Sequence, residues 1–304
     1  MASIAVVGSS SIDLVAVSDK RPKAGETVIG SAFHTVPGGK GANQAVAAAR
    51  LGARVAMVGA VGEDAYGKAI LENFERERVF IPYVVPVTGT TTGTAHIVLA
   101  EGDNSIVVVP GANGLVDRHM VDRAKQVLIE ADIVLVQLEI PLDTVQYVLD
   151  VCDEHHVPVV LNPAPAQALP ADMIEKAAYL TPNEHECRVI FNDFETPLEE
   201  LLAKYPNKLL MTEGEQGVRF HNGTDIVRVP GISVEVVDTT GAGDTFNGAL
   251  AVALAEGKAL PEAIAFANRA AGISVTKLGA QGGMPTRETL HELQVILGEE
   301  TRNA

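Results

Sequence analysis

"ADIVLVQLEIPLDTVQYVLDVCDEHHVPVVLNPAP", residues 131–165, holds one complete strand–helix–strand unit. Ala131–Ile140 is an apolar run that turns polar at its C-terminal end. In Asp143–His155, Val145, Val148, Leu149 and Cys152 recur at i, i+3, i+4 and i+7, the period of a helix with one buried face. Val157–Pro165 then repeats the pattern of apolar run and polar end. Strands this uniformly apolar are buried on both faces, and joining them through a helix makes them parallel.

The same unit extends outward along the chain. Ile4–Val7 is a short apolar strand closed by Gly8, Arg54–Asp64 is another, and "KLLMTEG" (Lys208–Gly214) reads as a further one. The alternation predicts an α/β fold, a mainly parallel sheet with helices on both faces, with ligands gathered at the C-terminal ends of the strands. Two stretches break the rhythm. Asp13–Val36 has no helical period and reads as extended pieces around a Pro/Gly turn. Gly93–Val109 reads as a hairpin with Gly102-Asp103-Asn104 in its turn. The expected organisation is a main unit of residues 1–12, 37–92 and 110–304, with 13–36 and 93–109 forming a small β-sheet lid inserted in it.

Composition narrows the function classes. Hydrophobic residues make up 47% of the 304, ample for a large core, while aromatics are only 4%, so that core is aliphatic. A net charge of −16 argues against nucleic-acid binding, which needs a basic face. It leaves room for a nucleotide held largely by backbone N–H groups, because distant charges are screened beyond roughly 8 Å. Cys152 and Cys187 make neither a disulfide scaffold nor a zinc pattern. The N-terminus lacks a basic n-region and no apolar run is long enough to span a membrane, so a cytoplasmic setting is expected.

Three motifs carry chemistry. "VVDTTGAGDTFNGAL" (Val236–Leu250) reads as a strand end, a glycine turn and a helix start, with Phe246, Leu250 and Leu254 along one face and Gly257 at the end. It has the outline of a phosphate cradle at a helix N-terminus, yet it carries Asp238 and Asp244 where a phosphate loop carries lysine. Asp244 equally fits a plain helix cap. "PGGKGANQAVAAARLGA" (Pro37–Ala53) runs a glycine turn into an alanine-rich helix, with Lys40 and Asn43 offering donors at its start or standing solvated. "LTPNEHECRVIF" (Leu180–Phe191) places Asn183 and Glu186 on one face of a helix start. There they suit a hydrated Mg²⁺ beside phosphates, or simply a solvated first turn. Glu139 and Asp13 follow apolar strands, and with Lys40 and Asn43 make a polyol pocket in which carboxylates accept hydroxyl hydrogens.

Taken together and in this order, "GGKGANQA", "TPNEHE" and "DTTGAGDTFNG" resemble the signatures of the ribokinase family of carbohydrate kinases, over essentially the whole chain. The resemblance implies an ATP-dependent sugar kinase acting on O5 of D-ribose, with Mg²⁺ and a K⁺-like monovalent cation. By resemblance, Asp244 is the catalytic base and Gly241, Ala242 and Gly243 form the anion hole. Ser11, Asp13, Gly39, Lys40, Gly41, Asn43 and Glu139 hold the sugar. Asn183, Glu186, Thr212, Glu213, Gly214, Glu215, Gln216, Gly217, Gly243 and Asn268 serve the nucleotide and its Mg²⁺. Asp238, Thr240, Ser274, Lys277, Gly279 and Gly283 form the monovalent-cation site. The resemblance also implies a homodimer through the small sheet.

Ser11 departs from the asparagine common in that family, which leaves 2-deoxyribose, fructose or a nucleoside open as acceptors. A silent sugar sensor would not need Asp244. An NAD-dependent oxidoreductase would need a glycine where this chain has Phe246.

Overall fold

The computed structural model describes residues 1–292. In chain order the strands are β1 (Ser3–Val7), β2 (Ser11–Val17), β3 (Ala32–Gly38), β4 (Arg54–Gly62), β5 (Phe80–Val87), β6 (Gly93–Ala100) and β7 (Asp103–Val109). They continue with β8 (Ile133–Gln137), β9 (Val159–Asn162), β10 (Tyr179–Leu180), β11 (Met211–Thr212), β12 (Val218–His221) and β13 (Ile226–Val229). The helices are α1 (Lys40–Arg50), α2 (Ala65–Arg76), α3 (Arg118–Arg123), α4 (Lys125–Ile129) and α5 (Leu142–Glu154). They are followed by α6 (Ala171–Lys176), α7 (Glu184–Phe191), α8 (Leu198–Lys204), α9 (Ala242–Ala255) and α10 (Leu260–Ser274).

The main sheet has six parallel strands in the order β10-β9-β8-β1-β4-β5. Alternate residues of each strand feed opposite layers, as the two-residue period of a strand requires. Ile4, Val6, Ile133 and Leu135 pack toward Ala45 of α1, Leu250 of α9 and Ile264 of α10. Ala5, Val7, Val134 and Val136 pack toward Val145, Val148 and Leu149 of α5. The expected helical face of 143–155 is therefore the one that covers the sheet. From β1 the chain builds outward to β4 and β5, then crosses to β8 on the other flank of β1. The order reverses between β1 and β8, and such a reversal opens a crevice at the strands' C-terminal ends.

A second sheet has the order β3-β2-β6-β7. Within it β2 pairs antiparallel with β3 and parallel with β6, while β6 and β7 form the hairpin. The hairpin turn is Glu101-Gly102, at φ 58° and 73°, rather than the expected Gly102–Asn104. Two consecutive left-handed residues match the strand twist, so Asp103 and Asn104 are free to begin β7. Residues 293–304, included in the expected main unit, lie outside the described residues.

One expected parallel strand is only partly regular. Lys208–Gly214 does run parallel to the edge of the main sheet, but only in isolated bridges, Leu180–Leu209 and Asn183–Thr212. Its regular partner is β12, antiparallel, in a third sheet β11-β12-β13. The glycine-bounded turn Gly214–Gln216 folds the chain straight back, so that β11 also pairs antiparallel with β12. Cys152 and Cys187 are free and buried. No helix among the described residues is long and apolar enough to cross a membrane.

Candidate active site

The crevice between β1 and β8 is closed at its base by a side-chain bond. Ser9, just beyond β1, donates to Glu139 Oε2 at 2.5 Å, and the Lys40 N–H reaches the same oxygen at 2.9 Å. Ser9 Oγ also accepts from the Gly41 N–H at 3.2 Å. The start of α1 is thereby fastened beneath the β1–β2 connection. Gly39 makes that approach possible: it sits at φ 90°, and a Cβ there would lie 2.8 Å from Ser11 N. Ser11 and Asp13 lie within β2 itself, both buried.

The plain-cap reading of Asp244 does not hold. The N-cap of α9 is Gly241, at φ 78°, with no side-chain cap, and Asp244 is the third helical residue. Its carboxylate faces α1, accepting from Asn43 Nδ2 at 2.9 Å and from Gln44 Nε2 at 3.1 Å. Gln44 in turn donates to Asn162 at the end of β9 and accepts from Gln137 at the end of β8. Asp244 is thus buried, oriented by two amides, and set in the first turn of a long helix where the dipole favours negative charge. Of the expected anion-hole donors, the Ala242 N–H is occupied, donating to Thr239 O at 3.2 Å in the turn that precedes the helix. Gly241 and Gly243 carry N–H groups without a protein acceptor among the described residues.

Lys40 stands amid four carboxylates. Burial opposes its charge, but Asp244, Glu139, Glu186 and Asp13 together outweigh that and raise its pKa. Asp13 is pushed up to about 6, first by burial and then by Glu139 and Asp244, with Lys40 pulling the other way. No protein donor satisfies the Asp13 carboxylate among the described residues, so a hydroxyl-bearing ligand would supply what it lacks.

Two open cavities meet here. One of about 750 Å³ lies between the second sheet and residues 236–240 and 278–280, with Asp13 and His34 on its sheet side. The other, about 450 Å³ and mostly apolar, is walled by Val218, Ile232, Val234, Phe246 and Val275, with Ala242 and Gly243 at its end. Of the expected loop, Thr212, Gly214, Glu215 and Gly217 line this cavity. Glu213 and Gln216 do not: Glu213 is paired with Arg219 and Arg228, and Gln216 accepts from Arg228. Asn268 borders the cavity while its amide N–H₂ holds the carbonyls of Val229 and Pro230. Asn183 and Glu186 form a reciprocal capping box on α7, both bonds 2.8 Å, which uses one oxygen of each side chain. Burial raises the Glu186 pKa, with the Asn183 N–H and Lys40 opposing.

Of the residues expected at a cation site, Asp238, Thr240 and Gly279 are joined by hydrogen bonds, and Gly283 lies against Ser274. Asp238 Oδ1 accepts from Thr240, and its Oδ2 accepts from the Gly279 N–H at 2.8 Å. Burial would raise the Asp238 pKa, but these bonds outweigh it and hold it low. Gly283 is pressed against Ser274 O, only 1.8 Å from where a Cβ would stand.

Residues 1–287 match the model of the pfkB family carbohydrate kinases. The chain belongs to that family. Among its relatives, this pfkB-family chain is 59% identical to the ribokinase of Bacillus subtilis over 293 residues, covering 96% of this chain and 99% of that one. It is 45% identical to the ribokinase of Lactococcus lactis over 303 residues, covering 98% of this chain and 100% of that one. Its fold superposes with a TM-score of 0.89, at 36% identity, on the structure of Arabidopsis thaliana ribokinase complexed with ribose and ATP, covering 96% and 99% of the two chains. Several residues of this pfkB-family site escaped the sequence reading: Ser9, Gln44, Gln137, Asn162 and the apolar wall around Ile232. Gln44, next to the singled-out Asn43, carried a signal as a polar residue on a helix of alanines. The others acquire meaning only through distant partners.

Proposed function

We propose that this chain is an ATP-dependent kinase that phosphorylates D-ribose at O5, giving ribose 5-phosphate and ADP. The observation that carries the reading is the placement of Asp244. Its carboxylate is held by two amides at the first turn of α9, beside the unpaired N–H groups of Gly241 and Gly243 and facing the pocket of Asp13, Lys40 and Glu139. A base and an anion-stabilising helix end side by side are what phosphoryl transfer to a hydroxyl requires. Asp244 takes the proton of the attacking hydroxyl as the new O–P bond forms. The N–H groups receive charge on the transferring phosphoryl oxygens.

Asp13 and Glu139, with Ser11, Gly39, Lys40, Gly41 and Asn43, hold the sugar hydroxyls. The adenine of ATP enters the apolar cavity of about 450 Å³. The small sheet serves as the lid. Similarity to ribokinases supports ribose as the acceptor.

Among the described residues no cluster of three or more His, Cys, Asp or Glu is placed to hold a metal. Mg²⁺ would be carried on the nucleotide phosphates, with the free oxygen of Glu186 as its protein contact, often through water. When bound, the ion neutralises phosphate charge. The 238–240 and 274–283 backbone, joined by Asp238, offers the hard carbonyl oxygens a monovalent ion such as K⁺ takes; Thr240, Ser274, Lys277, Gly279 and Gly283 would supply them. Such an ion shapes the loop beside the anion hole. The exposed apolar strand β7, with Ile106, Val107 and Val108, supports a homodimer through the lid, and two free buried thiols suit the cytoplasm.

The test is a panel of ribose, 2-deoxyribose, fructose and nucleosides with MgATP, with and without K⁺, read by product NMR. Ribose turned over well above the rest is the expected result. Preference for 2-deoxyribose would move the assignment to that acceptor, and no turnover of any would end the kinase reading.

A further inference from the structure

Asp244 stands at the end of a longer chain of side chains, and that chain has a direction. Asn43 Oδ1 accepts from Gln281 Nε2 at 3.0 Å. Gln281 Oε1 accepts from Asn73 Nδ2 at 3.0 Å, and Asn73 Oδ1 accepts from the Arg76 guanidinium at 2.9 Å. An amide has one donating and one accepting end, and either can face a neighbour. A guanidinium only donates and an ionised carboxylate only accepts. With Arg76 at one end and Asp244 at the other, a single orientation of the three amides satisfies every link.

Asn43, Asn73 and Gln281 are all buried, so a reversed amide would set oxygen against oxygen with little solvent to relieve it. The backbone at Gln281 is fixed as well: Arg50, paired with Glu77, donates to Gln281 O at 2.6 Å and Met284 O at 3.1 Å. Among the described residues the other branch, from Asp244 through Gln44 to Gln137, has no such anchor, and Gln137 Oε1 is buried without a partner.

We infer that Gln281, Asn73 and Arg76 are positioning residues for Asp244. They oblige Asn43 to present its N–H, never its oxygen, to the carboxylate, which keeps Asp244 an oriented acceptor for the substrate's proton. The inference rests on Asp244 being the base.

Asn73→Asp tests it with almost no change of shape. The new carboxylate pairs with Arg76, so the fold is retained, but it cannot donate to Gln281. Gln281 must turn to donate to it, Asn43 must turn to donate to Gln281, and Asn43 Oδ1 then meets Asp244 Oδ2. The expected result is a kcat lower by about tenfold or more, the cost of losing a bond to a charged acceptor, with nucleotide KM changed by no more than about twofold. Thermal midpoint should fall by only about 2–6 °C, leaving the variant folded at the assay temperature. Arg76→Lys keeps a group that only donates at that end of the chain, preserves the direction and should hold kcat within about threefold.

A kcat for folded Asn73→Asp within about twofold of the parent overturns the inference. Gln281→Glu inverts the chain one link further on and is judged by the same split if Asn73→Asp does not fold. Asp244→Asn run alongside separates the two readings. If it retains turnover, the base assignment itself fails. If it is inactive while Asn73→Asp is unimpaired, only the positioning chain fails.

Discussion

Ser9 and Glu139 are 130 residues apart in sequence and share a 2.5 Å hydrogen bond across the one place where the main sheet reverses its strand order. The bond spans the ends of β1 and β8, and the Lys40 and Gly41 N–H groups close on the same two side chains. The ligand crevice and the start of α1 are therefore one assembly. Ser9→Ala removes a donor to Glu139 and an acceptor of the Gly41 N–H together. Acceptor KM should rise about tenfold with kcat less affected, and stability should fall by about 1–2 kcal/mol. Steady-state kinetics and a denaturant titration check both. An unchanged acceptor KM would show that Glu139 does not need Ser9 to meet the sugar.

Two glycines of one turn are expected to behave oppositely. Gly241 sits at φ 78°, and a Cβ there would lie 2.7 Å from Ala280 O, so Gly241→Ala should destabilise the chain by about 1–3 kcal/mol. Gly243 has ordinary φ and open space where a Cβ would stand. Gly243→Ala should leave the thermal midpoint unchanged or slightly raised, since alanine is the better helix former. Its methyl would occupy the space a phosphoryl group needs, so kcat should fall by about a hundredfold. Full activity in Gly243→Ala would remove the anion hole from this turn.

Asp13 ties stability to pH. Its pKa in the folded chain, about 6, lies above the ordinary 3.8, so the folded chain binds this proton more tightly than the unfolded one. Its contribution to stability is greatest below about pH 4, declines between about pH 4 and 6, and is level above that. Asp13→Asn removes a buried charge and should make the chain more stable at pH 8 by about 3 kcal/mol. The same change should raise the acceptor KM by about a hundredfold, because an amide accepts fewer hydroxyl hydrogens than a carboxylate. Unfolding curves at pH 4 and pH 8 check the sign: the gain should appear only at the higher pH.

Asp244→Asn replaces an acceptor-only group that two amide donors already face. Nucleotide affinity should survive, and turnover should fall by about a thousandfold, the usual scale for a lost general base. Binding of an ATP analogue by calorimetry, beside a kinase assay, separates the two effects. Unchanged turnover would remove Asp244 from the chemistry.

Much of this was legible along the chain because it is local. A 3.6-residue or two-residue period of apolar side chains is a property of neighbours, so the parallel sheet, α1, α5 and α9 follow from sequence. The glycine turns at 38–41 and 241–243 could be read for the same reason. The rest depended on partners that the pattern does not show. Lys208–Gly214 has a strand's composition, and it both bridges the edge of the main sheet in parallel and turns back to pair with β12. Glu213 and Gln216 sit in a loop of the right kind, yet Arg219 and Arg228 draw them away from the cavity. Asp244 fits a helix cap until Asn43 and Gln44 are seen to hold it from another helix.

The sequence by itself determined the fold class, the glycine turns that open α1 and α9 and the polar side chains those helix starts carry. Only the tertiary structure decided which of them meet: Ser9 with Glu139, Asn43 and Gln44 with Asp244, Gln281 with Asn73. The physical reason is that a buried polar group is defined by its partner. Amides and carboxylates carry no periodicity, and each of these bonds joins residues brought together only when the sheet and its helices close around them.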